Sequence, residues 1–172
     1  MIEAGTLRED DRVELIEGEI VRMAPLGLRH EACVRRLEYI FHRLLLGKVV
    51  VSTQNSIRIA PNSQPEPDVA LLRWRDDLYA DARPTPDDVW LVVEVADSSL
   101  AMDRSKKRIL YGEAGIPEYW LINLQEDIIE IFSNPTGGVY RDAQIVSRGG
   151  VLGLPGDFGG TITADEVLGR QK

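Results

Sequence analysis

The chain has 172 residues, of which 44% are hydrophobic and 28% charged, with a formal net charge of -8. That length fits one domain, residues 1 to 172, of ordinary soluble composition. The acidic balance argues against a surface coated with basic residues for nucleic acid, although charge can still be uneven along the chain.

The opening Met1-Ile2-Glu3-Ala4-Gly5 lacks the basic and apolar regions of a secretion signal. No apolar run in the sequence approaches the roughly 20 residues of a membrane-spanning helix, so no membrane partner is expected. Residues 12 to 23 read as a β-hairpin, with Val13-Glu14-Leu15-Ile16 turning at Glu17-Gly18 into Glu19-Ile20-Val21-Arg22. From about Arg29 to Leu46 the spacing becomes helical. Val34, Leu37, Phe41, Leu44 and Leu45 form its apolar stripe, and Gly47 is its stop. The single cysteine, Cys33, falls on this helix and reads as a core thiol, and a chain with no possible internal disulfide suits the reducing cytoplasm.

Lys48 to Ser52 and Ser56 to Ala60 read as strands. A turn rich in Pro, Asn and Ser follows over 61 to 67, then a further strand from Asp68 to Leu72. Residues 75 to 88 are charged and proline-bearing, which predicts a surface excursion. Val89 to Ala96 is nearly all apolar and reads as a strand buried on both faces, its alternation setting Trp90, Val92, Glu94 and Ala96 on one side. Asp97-Ser98-Ser99 can cap a helix from about Leu100 to Ala114, stopped by Gly115 and Pro117. Glu118 to Leu124, Asp127 to Phe132 and Val139 to Ser147 read as strands, and Ala164 to Leu168 as a short closing helix. The order predicts an α/β (α+β) sandwich about one sheet.

Glu94 is the energetic anomaly. An ionised carboxylate in a valine-rich strand costs several kcal/mol unless a cation, a metal or hydrogen bonds compensate it. Asp68 opens an earlier strand, and if the two strands are neighbours their carboxylates converge. Two such groups stay ionised only with a cation between them, and hard oxygen ligands suit Mg2+ or Mn2+. The helix after Glu94 offers the cation of an alternative ion pair: Asp103, Lys107 and Tyr111 are spaced four apart on one face, with Lys106 one step round. Basic residues recur at Arg29, Arg35, Arg36, Arg43 and Lys48, and acidic ones at Glu9, Asp10, Asp11, Glu14, Glu17 and Glu19. Solvated faces would account for either set.

Pro67-Asp68, then Glu94 in a valine-rich strand, then a lysine resembles the PD-(D/E)XK metal-dependent nucleases. With Glu14-Leu15-Ile16-Glu17-Gly18-Glu19, His30, Pro67-Asp68-Val69, Val92-Val93-Glu94-Val95, Asp103, Lys107, Tyr111 and Ala114-Gly115-Ile116-Pro117-Glu118-Tyr119-Trp120-Leu121-Ile122, the chain is more closely similar to the Uma-two family within them, over nearly its whole length. The resemblance implies a restriction-endonuclease-like core, a central mixed β-sheet flanked by helices, with an N-terminal hairpin. It implies Asp68, Glu94 and the Val95 carbonyl as ligands of Mg2+ or Mn2+, with Glu14 as an acidic residue beside them. The superfamily lysine would stand two residues after Glu94, where Ala96 lies, so Lys107 is the match; His30 would sit at the site's edge. DNA is the implied substrate and a homodimer the implied assembly. Ser98 and Asn123 stand where the family often has proline and aspartate. A fold that keeps the site and only binds nucleic acid or protein is the alternative.

Overall fold

The computed structural model describes residues 11 to 170. The opening Met1 to Gly5, and Glu9 and Asp10 of the acidic start, lie outside them. A hairpin of β1 (Val13–Ile16) and β2 (Glu19–Arg22) turns at Glu17 and Gly18, whose φ angles are 51° and 83°. Positive φ at both turn positions is the geometry that matches strand twist in a two-residue hairpin. Helix α1 (Leu28–Leu45) buries Cys33, Val34, Leu37, Ile40, Phe41 and Leu45, and Gly47 follows at φ 74°. Burial pushes the Cys33 thiol up to about 12, so it is an inert core group.

One six-stranded sheet is ordered β3-β4-β5-β6-β7-β8. Its strands are β3 (Val49–Thr53), β4 (Val69–Arg73), β5 (Val89–Ala96), β6 (Glu118–Asn123), β7 (Ile128–Thr136) and β8 (Val139–Ser147). The pair β5-β6 is parallel and the other pairings are antiparallel. Between β5 and β6 the chain runs through α2 (Leu100–Met102), a π-helical turn over Asp103–Lys107, and α3 (Arg108–Glu113). A short pair, β9 (Val151–Gly153) and β10 (Thr161–Thr163), leads into α4 (Ala164–Leu168). No helix among the described residues is long and apolar enough to cross a membrane.

Alternation along the strands sends one set of side chains to each face of the sheet. Val69, Leu71, Leu91, Val93 and Val95 pack with α1, while Ala70, Leu72, Val92 and Ala96 pack with the hairpin and α3. Fully burying each of these valines and leucines contributes about 1.5–3 kcal/mol, so the two-sided core fixes the register of β4 against β5.

Besides the π turn that interrupts the helix expected over Leu100 to Ala114, the fold departs from the sequence reading in three places. Ser56 to Ala60 is not a strand: the Ile57 N–H donates to Pro65 O, and Ile59 and Ser63 exchange two 2.9 Å bonds within one loop. Pro61, Pro65 and Pro67 remove the donors a longer ladder would need. Trp90 does not share the face of Glu94. The register of β4 and β5 shifts between Leu71 and Leu72, which brings Trp90 to the α1 side against Phe158. The third is β9 and β10, which the sequence reading left as tail.

Candidate active site

Asp68 stands just before β4, after Pro67, where the strand register runs out. Val69 pairs with Val93, so Asp68 comes opposite Glu94. Past that point β4 can no longer serve β5, and the Val95 N–H donates to Asp68 Oδ2 at 2.8 Å instead. In an extended strand the C=O of a residue leaves on the same edge as its N–H, so the Val95 carbonyl is directed to the Asp68 side. His30, two residues into α1, places Nε2 3.0 Å from Asp68 Oδ1. Its Nδ1 is buried with no hydrogen-bond partner.

Glu94 is 3% exposed, and its compensation comes from the crossover helix. Lys107 Nζ lies 3.0 Å from Glu94 Oε1, and the Tyr111 hydroxyl donates to the same oxygen at 2.7 Å. Both contacts fall on Oε1, which leaves Oε2 open to another ligand. The ammonium also lies 3.0 Å from Glu14 Oε1 and 3.7 Å from Asp103 Oδ1. Glu14 is buried at the hairpin's inner edge, where its Oε2 accepts the Glu66 N–H at 3.2 Å. Asp103 is held by the Ser99 hydroxyl at 2.5 Å. Lys106 points elsewhere, to Glu19 on the surface at 3.6 Å, so Lys107 is the lysine of this site.

Glu14, Asp68, Glu94, Val95, Asp103 and Lys107 all border one cavity of about 540 Å³ between the hairpin, the start of α1 and the loop after β5. The buried electrostatics are lopsided: four buried carboxylates meet one buried lysine and one buried histidine, with Arg12, Arg22 and Asp97 at the rim. Burial, then the neighbouring carboxylates, holds the Glu94 carboxyl well above its ordinary range despite Lys107. Asp103 is raised by burial too. For Lys107, burial alone would lower the pKa, but Glu94, Glu14 and Asp103 outweigh it and raise the value above that of a free lysine.

The structure brings Glu14, Asp68, Glu94, Val95 and Lys107, the residues expected at the site, to this one cavity. Sequence reading gave no site role to Asp103 and Tyr111, although their four-residue spacing with Lys107 was visible. It placed His30 only at the edge, and it missed the guanidinium-bearing rim residues Arg12 and Arg22, which also border the cavity. No cluster of three or more His, Cys, Asp or Glu side chains among the described residues is arranged to hold a metal ion. A small hard cation needs less, one or two carboxylates with waters, and the excess of anionic oxygens at Asp68 and Glu94 beside the Val95 carbonyl fits that donor chemistry.

Comparison with known proteins supports the same architecture. The family model Uma2, described as "Putative restriction endonuclease", matches residues 3–165. A crystal structure described as a "putative nuclease belonging to DUF820" from Anabaena variabilis superposes with a TM-score of 0.74 at 13% identity. The match covers 96% of this chain and 94% of that one, and it shows a shared fold. No curated protein sequence matches the chain.

Proposed function

From the premise that the chain belongs to the Uma2 restriction endonuclease family, we propose that it is a metal-dependent endonuclease hydrolysing phosphodiester bonds of DNA. Asp68, Glu94 and the Val95 carbonyl would hold Mg2+ or Mn2+, which when bound supplies charge neutralisation and a more acidic water. The remaining work falls to the chain's own groups. His30 and the Val95 N–H fix the Asp68 carboxylate from two directions, and the Tyr111 hydroxyl fixes Glu94. Lys107, its pKa raised by three carboxylates, stays protonated near neutral pH. It therefore acts as a donor, to the attacking water or to a phosphate oxygen gaining charge, and not as the proton acceptor. Glu14 orients that ammonium.

The observation that carries this reading is the convergence of Asp68, Glu94, Glu14 and Lys107 on one solvent-reaching cavity. Cleavage of plasmid and oligonucleotide DNA with Mg2+ or Mn2+ is the test. Asp68→Ala and Glu94→Ala are each expected to lower the rate by at least about a hundredfold, the scale of a lost electrostatic group. Cleavage that survives both changes refutes the assignment. Cutting two strands favours a homodimer with two sites, which sedimentation of the DNA complex would reveal. A cytoplasmic enzyme fits the reduced Cys33.

One observation favours a second reading, a catalytically silent module that binds DNA or protein. Lys107 lies on one oxygen of Glu94, and both Asp68 oxygens are engaged, so each carboxylate already has a partner within the chain. Absence of Mn2+ binding by calorimetry would favour it.

A further inference from the structure

A second cavity, of about 670 Å³, adjoins the first across the start of α1. Gly27 and His30 border the carboxylate cavity, and Leu28 and Arg29 border this one. The two also meet at the ends of the parallel strands, where Asp97 borders the first, Leu124 the second, and the Leu124 N–H donates to Ala96 O at 2.9 Å. The second cavity is basic in an acidic chain. Arg29, Arg36, Arg148 and Arg170 line it with a single carboxylate, Asp127.

These arginines come from three separate segments, so the cluster is not one solvated helix face. The other basic side chains of α1 are spent differently: Arg35 pairs with Glu31 four residues back, and Arg43 pairs with Glu166. In the cavity, neutral carbonyls do much of the positioning. Arg36 Nη1 donates to Leu168 O at 3.3 Å and Arg148 Nη1 to Gly169 O at 2.6 Å. Gly169 has φ 78°, and a Cβ there would lie 2.3 Å from the Arg36 guanidinium carbon, so only glycine leaves that guanidinium its place. A guanidinium fixed by carbonyls keeps its full charge. Among the described residues Arg36 and Arg170 meet no carboxylate, whereas Arg29 and Arg148 share Asp127. Arg148 also pairs with Asp165 at 3.2 Å, so the charge left for a ligand is mainly that of Arg36 and Arg170.

We propose that this arginine cavity is the docking site for backbone phosphates of the DNA strand that leaves the Asp68–Glu94 site. The inference rests on the endonuclease reading and adds where the substrate lies: along the start of α1, across Leu28 and Arg29, towards the C-terminal turn. Planar guanidiniums suit phosphate oxygens because they can donate two hydrogen bonds at once. The local positive field also explains how a chain of net charge -8 approaches a polyanion.

The test is the salt dependence of DNA binding. Anisotropy of a labelled duplex is followed over a salt series with Glu94→Gln protein, which is expected not to cut. Each phosphate contact adds about 0.9 to the slope of log affinity against log salt. Adding Arg36→Gln and Arg170→Gln together is expected to lower that slope by about 2, and adding the control Arg35→Gln to leave it unchanged. Arg170→Gln alone, at an exposed position, should lower it by about 1, and it decides the matter if the double change unfolds the chain. An unchanged slope in these variants, while the natural chain cleaves DNA, overturns the docking site and leaves the endonuclease standing. If the natural chain cuts no DNA and Glu94→Gln protein binds none at low salt, both fall together.

Discussion

Glu94 is compensated by hydrogen bonds and a cation at once, yet the compensation is incomplete. One ammonium is shared among Glu94, Glu14 and Asp103, and Asp68 adds a fourth negative charge nearby. Burial and these neighbours hold the folded Glu94 carboxyl well above the ordinary 4.5. The folded chain therefore binds that proton more tightly than the unfolded chain does. Its contribution to stability is full below pH 4.5 and is lost as pH rises from there through the raised folded value. Glutamine cannot ionise, so metal-free Glu94→Gln protein should lose less melting temperature over that window than the natural chain. Parallel melting curves, with equal slopes against pH in both proteins, would contradict the raised carboxyl. Glu94 could be singled out from sequence because a carboxylate among four valines is an anomaly in any fold. The partners of Asp68 could not, because His30 and Val95 reach it only after the strand register has formed.

At the scale of elements, the crossover between β5 and β6 carries the site's cation, and its winding departs from a plain helix. Asp103 to Lys107 forms a π turn, a widening often found at functional positions, and both its end residues are buried. The four-residue spacing of Asp103, Lys107 and Tyr111 was readable, but the π turn was not, since the same spacing serves an α-helix. The bulge that turns Trp90 to the other face was likewise hidden, because the apolar run of β5 looks the same with or without a register shift. The stripe of α1, the hairpin turn at Glu17-Gly18 and the bounds of β8 and α4 were legible, since each rests on local periodicity or turn chemistry. Lys107→Met keeps the length of the side chain and removes the charge from this turn. It leaves Glu94, Glu14 and Asp103 facing one another, and should cost about 3–5 kcal/mol in urea denaturation. A loss under about 1 kcal/mol would place the ammonium in solvent, as for an exposed pair.

For the molecule as a whole, the sheet brings acidic and basic chemistry to one end of its central strands. Four carboxylates gather where β4 begins beside the end of β5, and four arginines gather across the start of α1. The sequence showed the acidic half, because Asp68, Glu94, Glu14 and Lys107 follow the family's order. It showed only part of the basic half. Arg29 and Arg36 lie seven apart on α1 and share a face, but Arg148 and Arg170 join them solely through the packing of the β8–β9 turn and the C-terminal turn on that helix. The central claim is that Asp68 and Glu94 jointly hold a divalent cation. Anomalous diffraction from crystals soaked in Mn2+ tests it most directly. The account predicts a manganese peak between the Asp68 and Glu94 carboxylates, beside the Val95 carbonyl and with Lys107 still on Glu14. A site without that peak, with Asp68 on His30 and Glu94 on Lys107 unchanged, would contradict it.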